Sequence, residues 1–211
     1  MPLTDPKVAR ELRHRRTLEI DGYQREDGWY DIEGHLLDVK GFSFDSYSHV
    51  IPAGTPIHQM SMRLVVDRDL VIREAQASTD DSPYPGSCET ITPRYAQLEG
   101  LRIGPGFTRH VKERLGGLQG CAHLTELIGV LATVAFQTRY DPEEDLGAKK
   151  PPHLDGCHAL DTRGSVVARF YPQWAVASSN QPPNSGEGAG DATQGCAVPV
   201  GTGSSCGAKG G

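Results

Sequence analysis

In "LGGLQGCAHLTELIGVLATVAF", residues 115–136, Cys121 and His123 stand at the mouth of an apolar helix pattern. Glycines 116, 117 and 120 mark a tight turn ahead of it. Leu124, Leu127, Ile128, Leu131, Val134 and Ala135 then recur at helical spacing, a stripe that must face a core. A thiol in the first turn of a helix feels the positive end of the dipole. That favours the thiolate, the form that attacks electrophiles and binds metals. Glu126 follows His123 by three residues, close enough along a helix to orient the imidazole. The plainer reading makes Cys121 a small packing residue and His123 a surface polar group.

Two more cysteines fall where ligands and nucleophiles are usually displayed. Cys88 lies in the turn-rich "DDSPYPGSCETITP", and Cys157 in the loop "PPHLDGCHALD". Cys88, Cys121 and Cys157 with His123 would suit tetrahedral zinc or an iron–sulfur centre. No CxxC pair is present, so spacing alone does not fix the set. His153 and His158 are further donors in the same loop. His58, in "AGTPIHQMSMRL", opens a strand pattern beside a turn, a position from which a histidine can act as general base. Phosphate-loop, dinucleotide, nucleophile-elbow and HExxH signatures are all missing, which removes the corresponding NTPase, dehydrogenase, hydrolase and zincin readings.

The elements that must position these groups are readable in part. Residues 29–44 form an aromatic and apolar stretch broken by Gly34 and Gly41, one or two strands. In residues 54–79, Met60, Met62, Leu64 and Val66 alternate with other residues, Asp67-Arg68-Asp69 makes a turn, and the chain returns: a β-hairpin with one half-buried face. Residues 92–101 read as a helix capped by Thr92 and stopped by Gly100, and residues 106–117 as a second, ended by a glycine pair. Residues 165–174, "SVVARFYPQW", read as a last strand. Strands, then helices, then a strand predict an α+β domain over 21–174, an antiparallel sheet with helices packed on one face. A basic arm, 1–20, precedes it. Within this arm residues 10–16 read as a solvated helix face or arm. A Gly-, Ser- and Pro-rich tail, 175–211, follows and is expected to be disordered. Cys196 and Cys206 lie in that tail.

Composition narrows the function classes. The chain has 211 residues and a formal charge of −6, which argues against a nucleic-acid surface. The longest apolar run, 127–136, is too short to span a membrane, which takes roughly 20 residues, and no secretory signal opens the chain. Five widely spaced cysteines suit a reducing compartment, so a cytoplasmic protein is expected.

Four stretches carry a resemblance: "GYQREDGWYDIEGHLLDVKGFSF", "GTPIHQMSMRLVVD", "GCAHLTELI" and "LDGCHALDTRGSVVARFYPQW". Together, over roughly 10–174, they resemble the bacterial domain-of-unknown-function family DUF2889, which implies no particular activity. The order hairpin, cysteine loop, helices and cysteine-headed helix is also similar to the NifU-type iron–sulfur scaffold. By that likeness Cys121 matches the scaffold's last cysteine and Cys88 falls near its first. The scaffold's middle cysteine has no counterpart, and Gly120 stands where it has a histidine.

The sequence thus leads to a Cys/His site: Cys121 with His123, Glu126 and His58. It binds zinc or iron, with Cys88 and Cys157 as further ligands, or works as thiol and base on a small organic molecule. The reading from another class is an interaction module in which the cysteines are structural and the arm or tail meets a partner protein.

Overall fold

The computed structural model of the chain describes residues 2–46, 50–141 and 149–176. The tail read from composition lies outside these residues except at positions 175 and 176. The chain divides into two compact units, Met1–Leu146 and Gly147–Gly211, where the sequence reading carries one domain from 21 to 174.

In the first unit, alternation of apolar and polar residues builds the strands. β1 (His14–Gln24), β2 (Tyr30–Lys40), β5 (Pro56–Val66) and β6 (Ile72–Asp81) form an antiparallel sheet in the order β1-β2-β5-β6. Between β2 and β5 the chain makes a small ribbon from β3 (Phe44–Asp45) and β4 (Val50–Ile51). On one sheet face the register stacks cross-strand rows. Gly22, Ile32, Leu64 and Ala75 make one row; Ile20, Gly34, Met62 and Ala77 the next; Leu18, Leu36 and Met60 a third. The helices pack on this face, as expected of the α+β class. α1 (Phe107–Leu115) buries Phe107, Val111 and Leu115, and α2 (Ala122–Thr138) buries Leu124, Leu127, Ile128 and Leu131. α2 comes close because two positions under it lack side chains. A Cβ on Gly34 would meet Leu131 Cδ2 at 2.9 Å, and one on Gly22 would meet Thr138 Oγ1 at 1.8 Å. No helix among the described residues is long and apolar enough to cross a membrane.

Several expectations are corrected. β1 starts inside the stretch read as a solvated arm: Arg16 and Ile20 point toward the core face, and charge had masked the alternation. β2 runs straight through Gly34 rather than breaking there. The helix placed at 92–101 is a 3-10 helix over Cys88–Leu98. Thr92 lies inside it and its hydroxyl bonds back to the Glu89 carbonyl at 2.9 Å, so it caps nothing. Tyr95 and Leu98 are its buried residues, three apart as a three-residue turn requires.

In the second unit the expected last strand is the short helix α3 (Ser165–Phe170) followed by a 3-10 turn, Pro172–Trp174. Val167 is its buried residue, so the β-branched and aromatic content had no second row to pair with. Asp155 organises the loop before it. Its carboxylate accepts from the Thr162 N–H at 2.9 Å, the Thr162 hydroxyl at 3.0 Å and Lys150 Nζ at 2.6 Å.

Candidate functional site

The alternation that buries Ile32 and Leu36 in β2 also turns Asp38 inward, leaving its side chain 1% exposed. A carboxylate removed from water needs partners on all its lone pairs. The register supplies them: Arg16 of β1 lies opposite Asp38 on one side and His58 of β5 on the other. Arg16 forks onto the carboxylate, Nε to Oδ1 at 2.8 Å and Nη2 to Oδ2 at 2.8 Å, the two-point geometry that suits guanidinium and carboxylate best. His58 Nδ1 lies 3.0 Å from Oδ2, and His14 Nε2 lies 3.3 Å from Oδ1. The remaining Arg16 nitrogen, Nη1, donates to Glu126 of α2.

The mouth of α2 closes over this row. Cys121 is the N-cap residue, extended at φ −93° and ψ 132°, and its thiol makes no capping bond. The fully buried Tyr95 holds it instead. The phenol accepts from the Cys121 N–H at 2.9 Å and donates to the Cys121 carbonyl oxygen at 3.0 Å. Within the first turn of the helix, the His123 ring stacks on His58, centroids 3.8 Å apart at 34°. His123 Nε2 is 3.8 Å from Asp38 Oδ2, just beyond hydrogen-bond reach. Its Nδ1 is 3.8 Å from Cys121 Sγ, and that sulfur is 4.0 Å from Met60 Sδ.

Charge and burial compete here in a definite way. Burial alone would raise Asp38, but the Arg16 hydrogen bonds and charge, helped by His14 and His58, outweigh it and hold the carboxyl below its ordinary value. Burial lowers His58, and its bond to Asp38 only partly offsets this. Burial also lowers His123, with the His58 and Arg16 charges acting in the same direction. Both imidazoles therefore favour the neutral form, each with one nitrogen that can accept a proton.

Among the described residues, the histidine, cysteine and acidic side chains that meet as a group of three are Asp38, His58 and His123, their ligand atoms all within 4.8 Å of one another. A divalent ion centred there would need an Asp38 lone pair that Arg16 or His58 already uses, and would sit beside a guanidinium. The geometry suits hydrogen bonding better than coordination.

Of the residues singled out in the sequence, Cys121, His123 and His58 come together. Glu126 is present but pairs with Arg16 rather than orienting His123. Cys88 stands half-buried at the start of the 3-10 helix, outside the three-residue group. Cys157 belongs to the second unit and is exposed. Sequence reasoning missed Arg16, Asp38, Met60 and Tyr95 as site residues. For the first two a signal was present: Asp38 continues the parity of Ile32, Gly34 and Leu36, and Arg16 that of Leu18 and Ile20. A charge at an inward position of an alternating strand asks for a buried partner.

Residues 14–137 match the family described as "Protein of unknown function (DUF2889)". The chain belongs to this family. The DUF2889 match contains the whole Arg16–Asp38–His58 row and the mouth of α2, and it ends one residue before α2 does. The second unit, with Cys157, lies outside the matched DUF2889 residues, although the sequence resemblance extended to about 174. No curated protein and no solved structure matches the chain, and the NifU-type likeness gains no support from these comparisons.

Proposed function

We propose that the DUF2889 domain of this chain carries an acid–base and thiol site that acts on a small organic molecule. The observation that carries this reading is the buried Asp38 carboxylate, fixed by the Arg16 fork and bonded to His58 Nδ1. That bond assigns the proton to Nδ1 and leaves Nε2 with a free lone pair. His58 is then the base that takes a proton from a bound molecule, and Asp38 stabilises the imidazolium that forms. Cys121 is the neighbouring nucleophile. His123 Nδ1, 3.8 Å from the sulfur, is placed to receive the thiol proton once a ligand tightens the pair.

Site-resolved alkylation with iodoacetamide tests the thiol half. Half-buried Cys121 should react faster near neutral pH than exposed Cys157, and His123→Gln should remove the advantage. A Cys121 slower than Cys157 overturns the nucleophile role. Diethyl pyrocarbonate, which acylates neutral imidazole, tests the base: His58 should react quickly, and equal reactivity in Asp38→Asn would break the dyad. Protein purified without a histidine tag should hold less than about 0.2 zinc or iron per chain; a stoichiometric ion would replace this reading with a metal centre.

A further inference from the structure

The thiol at the mouth of α2 has a second soft neighbour that the acid–base chemistry does not use. Met60, buried in β5, places its thioether sulfur 4.0 Å from Cys121 Sγ, and His123 Nδ1 lies 3.8 Å from the same Sγ. We infer that Cys121, Met60 and His123 form a binding site for a soft monovalent cation, Cu(I) above all.

The distances carry the geometry. Take about 2.3 Å for a metal–sulfur bond and about 2.0 Å for a metal–nitrogen bond. An ion bonded to two sulfurs 4.0 Å apart then subtends an angle of about 120°, and one bonded to Sγ and Nδ1 3.8 Å apart an angle of about 124°. Both are trigonal angles. Thiolate and thioether donors select Cu(I) over harder ions. Charge points the same way: a thiolate with a monovalent ion is neutral, whereas a divalent ion would leave a net positive charge at a half-buried thiol near the Arg16 guanidinium. The site leaves Arg16, Asp38 and His58 undisturbed. It uses His123 Nδ1, and Nε2 of the same ring lies 3.8 Å from Asp38 Oδ2, so the carboxylate acts on the ligand ring through its charge and not through a hydrogen bond.

Binding releases the Cys121 proton to solvent and ties up the sulfur lone pair. The loaded chain therefore has no nucleophile at position 121, and the ion acts as a block on the thiol. This does not depend on the acid–base reading of His58, because Cu(I) binding is read without any substrate.

The test uses the full chain with Cys88, Cys157, Cys196 and Cys206 changed to Ser, titrated anaerobically with Cu(I) against bathocuproine disulfonate. One ion per chain is expected. Cys121→Ser should abolish binding, and Met60→Leu should weaken it about tenfold or more. Zn(II) should not compete, and Cu(I) should protect Cys121 from iodoacetamide. Selenomethionine protein, examined by selenium X-ray absorption, should show a copper neighbour, a readout that does not rely on any variant folding. Unchanged affinity in Met60→Leu, a selenium spectrum without copper, equal Zn(II) competition or unprotected Cys121 each overturns the inference.

Discussion

Two cross-strand rows on the same sheet face differ completely in chemistry. Gly22, Ile32, Leu64 and Ala75 form an apolar row beneath the far part of α2. Arg16, Asp38 and His58, six residues along the strands, form an ionic row beneath its mouth. The strands, the parity and the helix above are the same. Alternation decides which side chains go inward; it is indifferent to what they are. The apolar row gains from leaving water, while the ionic row is tolerable only because each group satisfies another.

That contrast can be broken from either end. Asp38→Ala should have the largest effect, a loss of about 3–5 kcal/mol in urea unfolding, because the Arg16 fork and His58 lose the acceptor they share. The double variant Arg16→Met with Asp38→Leu should recover most of that stability while losing rapid diethyl pyrocarbonate modification at His58. If the double variant is no more stable than the single one, the cost of Asp38→Ala does not come from the uncompensated Arg16 charge. In the apolar row, Leu64→Ala should cost about 2–5 kcal/mol by the same measurement and leave Cys121 alkylation unchanged. A change in alkylation would show that the two rows are coupled.

The smallest effect concerns acid. Asp67, in the turn between β5 and β6, is raised by burial. It is lowered more by the Val71 and Asp69 N–H groups and by Arg73, so its folded-state value lies below the ordinary one. A depressed carboxyl contributes stability that is present above its unfolded value, about 3.9, and fades as pH falls through the folded value. Asp67→Asn should therefore lose less stability than the parent chain below about pH 4, seen as a shallower fall of the urea midpoint. Parallel curves would remove Asp67 from the acid response.

The apolar part of the fold was legible because its signals are periodic. The Met60–Leu64 alternation gave the hairpin, and the Leu124–Leu131 stripe gave α2. β1 was not legible, because its inward residues begin with an arginine and the stretch around it is basic. Residues 165–174 misled for the opposite reason: a strand-like composition with too little chain to pair became a helix of one and a half turns. In the site, cysteines drew the reading because their chemistry is visible one residue at a time. Cys121, His123 and His58 come together at the mouth of α2. The inward parity of Asp38 is local, but its partners Arg16 and His58 appear only through a register that joins three strands.

Through Nη1, Arg16 also ties the first strand of the sheet to Glu126 of α2, 110 residues later. Closing so long a loop is slow, and its entropy must be met before the contact gives anything back. β1 is an edge strand, joined to the sheet along β2 alone. The β2–β5–β6 meander and α2 can meet without it. A chain caught partway through folding would then hold Asp38 and His58 in place with no guanidinium between the carboxylate and water. Hydrogen exchange at Asp38 and its neighbours should then report how firmly β1 stays paired with β2, because that edge strand alone carries the guanidinium.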